Sequence, residues 1–268
     1  MKAMWITVVL FSSFAGALAQ NAVLYHHHTH KAGEQEIKLL NDLGQDDESH
    51  TYIANLLEYE LSVTDRWVLE FYPESYIDLD QGAWKFSGFR VENRWRLFKQ
   101  GTFINPVLYV EYADLQSDHH FLREVVGFAN ESEEGEAAGI TEREKELETR
   151  LILGRDFAEG RLRVNFNLIN ESEFGHGSFE FGYAVGFTYK LKSSGDENNH
   201  GVTLGIEMYG GLGDTESGLT ADPSLTRHFL ALNFKVKLSE KWEIQFGGHA
   251  GLTDDTQHIL RSGLACAF

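Results

Sequence analysis

From Glu34 to Phe268, apolar and polar side chains alternate along most of the chain. A period of two is the signature of a β-strand whose two faces meet different surroundings. Ser178–Leu191 shows it most plainly. There Phe179, Phe181, Tyr183, Val185, Phe187, Tyr189 and Leu191 alternate with Glu180, Gly182, Ala184, Gly186 and Thr188. The same alternation marks Glu34–Leu43, Thr51–Val63, Trp67–Tyr76, Trp84–Phe98, Thr102–Asp114, Glu142–Phe157, Arg161–Glu171, Gly201–Gly211, Arg227–Leu238, Trp242–Leu252 and Gln257–Phe268. That makes twelve runs, an even number, and their connections alternate in length. Short turns are expected at 64–66, 99–101, 158–160 and 239–241, with a longer one at 192–200. The opposite set, at 44–50, 77–83, 115–141, 172–177, 212–226 and 253–256, is mostly longer.

Strands of a soluble β-sandwich average about 5–6 residues, and most runs here exceed that. A tilted strand that crosses a bilayer of about 30 Å needs this extra length. In such a barrel the apolar face meets lipid and the polar face lines the lumen, while closure removes every strand edge. Trp67, Trp95, Phe157, Tyr189, Trp242 and Phe268 share the apolar parity near the turn-proximal ends of their runs, as an interfacial aromatic girdle requires. The expected fold is all-β: an up-and-down antiparallel transmembrane barrel of about twelve strands, with both termini periplasmic. Its expected place is the outer membrane of the cell.

The start of the chain reads as an address. Lys2 is followed by the apolar stretch from Trp5 to Phe11, and Ala17-Leu18-Ala19 sets small residues before a cleavage point. This is the pattern of a secretory signal over residues 1–19, too short to span a membrane as a helix. A His-containing periplasmic leader is expected over 20–33, and the barrel over 34–268. The charge balance of 23 Lys+Arg against 41 Asp+Glu gives −18, which leaves no basic surface for nucleic acid. The single cysteine, Cys266, excludes an internal disulfide or a cysteine-cluster zinc site, and its parity faces it to lipid.

The C-terminal strand Leu260-x-Ser262-x-Leu264-x-Cys266-x-Phe268 resembles the terminal signature of bacterial outer-membrane proteins. The stretch Leu57-Glu58-Tyr59-Glu60-Leu61-Ser62-Val63-Thr64-Asp65-Arg66-Trp67 resembles a hairpin of small Gram-negative barrels. These barrels are grouped with transporters of the phenol-degradation-pathway type and with copper-resistance outer-membrane proteins. The resemblance implies an outer-membrane location, recognition of the last strand by the barrel assembly machinery, and contact with lipid and lipopolysaccharide. It specifies architecture far more than activity.

Candidate chemistry lies mainly on the polar parity. Arg90, Glu92, Arg94 and Arg96 form a charge ladder with Glu111, Glu146, Glu148, Arg150, Glu207 and Arg261, joined by Glu58, Glu60, Glu70, Arg163, Glu180 and Lys235. Such a ladder either filters a small solute or ion or consists of groups that pair and hold the barrel's shape, and the pairing is favoured. His26, His27, His28 and His30 carry imidazoles suited to weak capture of a divalent metal such as copper, though a mobile polar tail is the favoured reading. His50, His119 and His120 are possible additions. The acidic stretch from Glu131 to Glu148 either attracts cations or is a solvated loop, and the solvated loop is favoured. His176-Gly177-Ser178 sets a histidine near a serine, but neither a G-x-S-x-G elbow nor an HExxH motif is present. No enzyme and no firm cofactor are expected. The preferred function is a channel or transporter component for small solutes or ions; metal handling, a structural barrel and, last, a lipid-modifying enzyme are the alternatives.

Overall fold

The structure is a computed structural model, and it describes residues 23–26, 31–45, 50–99, 102–117, 120–123, 125–129, 143–175, 177–192, 201–253 and 256–268. Among the described residues all regular structure is β. The long strands are β1 (Gln35–Gln45), β2 (Thr51–Thr64), β3 (Trp67–Asp78), β4 (Ala83–Arg96), β5 (Val107–Gln116) and β6 (Arg143–Phe157). They continue with β7 (Leu162–Glu173), β8 (Glu180–Lys192), β9 (Val202–Asp214), β11 (His228–Lys237), β12 (Trp242–Gly251) and β13 (Ile259–Ala267), while β10 (Gly218–Leu219) is a short stub on β9. Every long strand is antiparallel to its neighbours, and β9 pairs past the stub with β11. β13 closes on β1 from Glu36↔Ala267 to Leu43↔Leu260, so the twelve long strands form a ring without an edge.

The faces sort as lipid demands. Val164 and Leu232 are 38% and 42% exposed on the outside, whereas Arg94 and Glu148 are 0% and 2% exposed within. A soluble protein would have the reverse arrangement. The connections after β2, β4, β6, β8 and β11 belong to one rim, which holds the tightest turns, and the remaining connections, including the longest one after β5, belong to the other. At the short-turn rim the Phe268 amide donates to the Gln35 carbonyl at 3.0 Å, which ties the last residue to the first strand.

Several local expectations require correction. The run expected over Thr102–Asp114 begins as strand only at Val107, so Ile104 and Asn105 belong to a longer connection. Pro106 has no N–H for a ladder and restricts the residue before it. β4 carries a bulge: Glu74 pairs with Gly88 but Ser75 with Phe86, leaving Ser87 as the extra residue. Trp84 and Phe86 therefore point outward on one parity, and Phe89 and Val91 on the other. Gly88, at φ 148°, permits the bend, and a Cβ there would sit 2.1 Å from the Asp114 carbonyl oxygen. β9 runs on to Asp214, beyond the expected loop boundary at 212.

The largest correction concerns the leader. Part of the stretch read as a periplasmic polar tail lies inside the barrel: Val23, Leu24, Tyr25 and His26 are all buried. A second segment, the described part of the connection between β5 and β6, also folds inward and buries Phe121, Arg123, Val125 and Ala129. Residues 1–22, 27–30 and 130–142, which include the stretch expected to be a signal sequence and most of the acidic stretch, lie outside the described residues.

Candidate functional site: a charged lumen with two inserted segments

Strand register creates a feature that no single run displays. Glu36 pairs with Glu60, Glu60 with Glu70, Glu70 with Glu92, and Glu92 with Glu111. The row continues through Glu148, Glu171 and Glu180 to Asp214, so each strand from β1 to β9 contributes one carboxylate directly opposite the next. Because Glu36 lies near the start of β1 and Asp214 ends β9, the row climbs the inner wall from the short-turn rim to the long-loop rim. Like charges directly opposite destabilise a sheet, so the row requires compensation.

Arginines on the same inner face supply it. β4 sets Arg90 and Arg94 on either side of Glu92. The Arg94 Nη2 bonds Glu60 at 2.7 Å and also pairs with Glu70, while its Nε lies 2.9 Å from Glu92. Arg90 donates to Glu74 at 2.8 Å and to Glu111 at 2.9 Å. Arg150 pairs with Glu148, Arg261 forms a fork with both oxygens of Asp42 at 2.6 Å, and Lys38 reaches Glu58 at 2.5 Å. Carboxylate oxygens of Glu58, Glu60 and Glu70 lie within 4.8 Å of one another, but Lys38 and Arg94 already satisfy this cluster with ion pairs. Buried pairs of this kind hold geometry more than they add net stability.

The leader docks on the inner wall through its backbone. The amides of Val23 and Leu24 each donate to a Glu207 oxygen at 3.1 Å. Tyr25 donates its amide to Asn167 at 2.7 Å and accepts from the Asn167 amide group at 3.0 Å, while Arg150 donates to the Val23 carbonyl at 3.0 Å. An irregular segment inside a barrel must satisfy its polar backbone in this way. Val23 and Leu24 also pack with Ile169, Ala184, Tyr209, Phe229 and Ala231.

The inserted loop docks differently, through close backbone approach. The Gly127 amide donates to the Phe181 carbonyl at 3.2 Å, and Gly127 bridges to Gly213. Arg261 donates to the Leu122 carbonyl at 2.5 Å, and its guanidinium lies 4.5 Å from the Phe121 ring. The two segments meet at mid-lumen, where Arg123 donates to the Tyr25 hydroxyl and Tyr25 donates to Glu92 at 2.7 Å.

The structure thus places the expected ladder residues Arg90, Glu92, Arg94, Arg96, Glu111, Glu148, Arg150, Glu207 and Arg261 in the interior, with Glu146 half-buried. Trp67, Trp95, Phe157, Tyr189, Trp242 and Phe268 lie at the short-turn rim; Trp67 pairs directly with Trp95 and donates its indole N–H to Asn93 at 3.1 Å. His26 sits in the lumen, whereas His27, His28, His30, His119 and His176 lie outside the described residues. His120 is not a solvated ligand, because it stacks on Tyr52 at 4.3 Å and meets Tyr76 edge-on. Sequence reasoning missed Arg123, Tyr25, Asn167 and the continuity of the carboxylate row. Equal spacing of Glu60 and Glu70 about the turn at Asp65 is the one signal that foreshadowed the row.

No protein-family model matches the chain, and no curated protein matches it. Among solved structures, the COG4313 outer membrane channel from Pseudomonas putida F1 superposes with a TM-score of 0.55 at 11% identity, covering 90% of this chain and 98% of that one. The NanC porin, at TM-score 0.48 and 12% identity, covers 85% of this chain and 98% of its own. The translocator domain of the autotransporter NalP from Neisseria meningitidis gives 0.47 at 10% identity, with 90% of each chain covered. The closed ring of twelve strands, its outward apolar and enclosed charged faces, and the likeness to the COG4313 channel together give this chain the fold of an outer-membrane β-barrel.

Proposed function

We propose that the protein is an outer-membrane channel or transporter component for small solutes or ions, here with its lumen filled by its own leader and inserted loop. The short-turn rim is assigned to the periplasm, following the usual disposition of short turns in such barrels. Lipid and lipopolysaccharide then surround the outer face, and the last strand, with Phe268, is the segment presented to the assembly machinery. The observation that carries the reading is how the lumen is filled. Neither segment is a strand of the wall, and the polar contacts that dock both are hydrogen bonds that water or a solute can replace.

Single-channel conductance in planar bilayers tests this reading. The full-length protein is expected to conduct weakly, and a chain lacking residues 21–31 to open more often and pass cations in preference to anions, with selectivity weakened by Glu70→Gln and altered by Arg94→Ala. A deletion variant that stays silent would remove the channel proposal. The same deletion tests metal capture by His26, His27, His28 and His30: unchanged copper binding would remove that role. We read the chain as non-enzymatic, and ester hydrolysis by the purified protein would overturn that.

A further inference from the structure

We infer that the centre of the lumen holds a receptor site for a small guanidinium-bearing cation, and that Arg123 of the inserted loop is its built-in occupant. The Arg123 guanidinium stands 4.3 Å from the centre of the Tyr72 ring, in cation–π position. Its Nη2 lies 3.2 Å from Glu92, 3.3 Å from Glu111 and 3.3 Å from the Tyr109 hydroxyl. Tyr109 in turn donates to Glu111 at 2.6 Å, and the Tyr72 hydroxyl sits against both Glu70 and Glu92, so the cage walls brace one another. All four walls (Tyr72, Glu92, Tyr109, Glu111) are strand residues at most 1% exposed, and they belong to the barrel whether or not the loop is inserted.

The occupant, by contrast, comes from outside the wall. Arg123 follows β5 on a segment with no strand of its own, and it enters a row of carboxylates that the wall's arginines only partly offset. Glu92 and Glu111 stand directly opposite each other, and Arg123 is the guanidinium that contacts both. Withdrawing it leaves two facing carboxylates beside aromatic rings, each with a single wall arginine, Arg94 on Glu92 and Arg90 on Glu111. That arrangement is costly unless another cation of similar shape takes its place. A planar delocalised cation fits the cage, since the aromatic face takes its plane and both carboxylates converge on one amino end, as they do on the Arg123 Nη2. A spherical alkali ion can use only the charge.

The inference deepens the channel reading by naming a class of cargo, but its test measures binding without conduction, so the two can fail separately. Methylguanidinium is titrated into detergent-solubilised protein by calorimetry, against sodium and tetramethylammonium at equal ionic strength. Wild type, whose cage is filled, is expected to show no saturable binding, and Arg123→Ala to gain one site. Adding Glu92→Gln or Glu111→Gln to that background is expected to weaken binding by roughly 30-fold or more. If Arg123→Ala refolds poorly, the yield becomes the readout, and methylguanidinium is expected to restore it where sodium at the same concentration does not. Absence of a gained site in folded Arg123→Ala, equal affinity for sodium, or equal rescue by sodium would each overturn the assignment.

Discussion

A Cβ built at Gly182 would lie 2.2 Å from the carbonyl oxygen of Val125, so the inner face of β8 is bare where the inserted loop's backbone rests against it. On β9, a Cβ at Gly211 would lie 2.4 Å from the Gly127 carbonyl oxygen. These two wall positions are therefore a seat for the loop, and side chains there would act on loop insertion before they act on the barrel. Gly182→Val and Gly211→Val are expected to leave a heat-modifiable, folded barrel while exposing the loop near Arg123 to protease. Gly177→Ala, at a position with nothing within 4 Å of its Cβ, is the control. A loop as protected in Gly182→Val as in wild type would contradict this account.

Arg94 contacts Glu60, Glu70 and Glu92 at once, and it is wholly buried. Truncating one member of a buried ionic group leaves uncompensated charge, at a cost of about 3–5 kcal/mol. Arg94→Ala is expected to lower unfolding stability in denaturant by that order, and Glu70→Gln added to it to recover part of the loss by removing one of the stranded charges. Equal stability of Arg94→Ala and wild type would show that water already compensates the row.

The outer face gives the opposite expectation for charge. Leu151 on β6 faces outward between Leu108 and Leu168. An arginine at mid-bilayer on the lipid face of a barrel costs about 2–4 kcal/mol. Leu151→Arg is expected to reduce folding into lipid vesicles accordingly, with the penalty shrinking for Phe157→Arg at the rim. Folding unaffected by Leu151→Arg would mean that this face does not meet hydrocarbon.

The sequence determined the strands and their sidedness. A two-residue period is a local property, and hydrocarbon outside with paired charge inside lets each strand express it without reference to distant ones. Twelve runs, the even count and the alternation of turn lengths were legible for that reason, and so was the inward parity of Arg94, Glu148 and Arg261. Failures occurred where one residue changed local phase: the extra Ser87 at the bulge and Pro106 ahead of β5. Only tertiary structure decided what fills the barrel. The row from Glu36 to Asp214 exists because eight successive pairings fix the registers, and those after β4, β5 and β8 follow long connections whose length does not reveal pairing. The seating of Tyr25 on Asn167 and of Arg123 between Glu92 and Glu111 joins residues up to 142 positions apart. Neither segment has a periodic pattern, because each is held by individual polar contacts rather than by a repeating face.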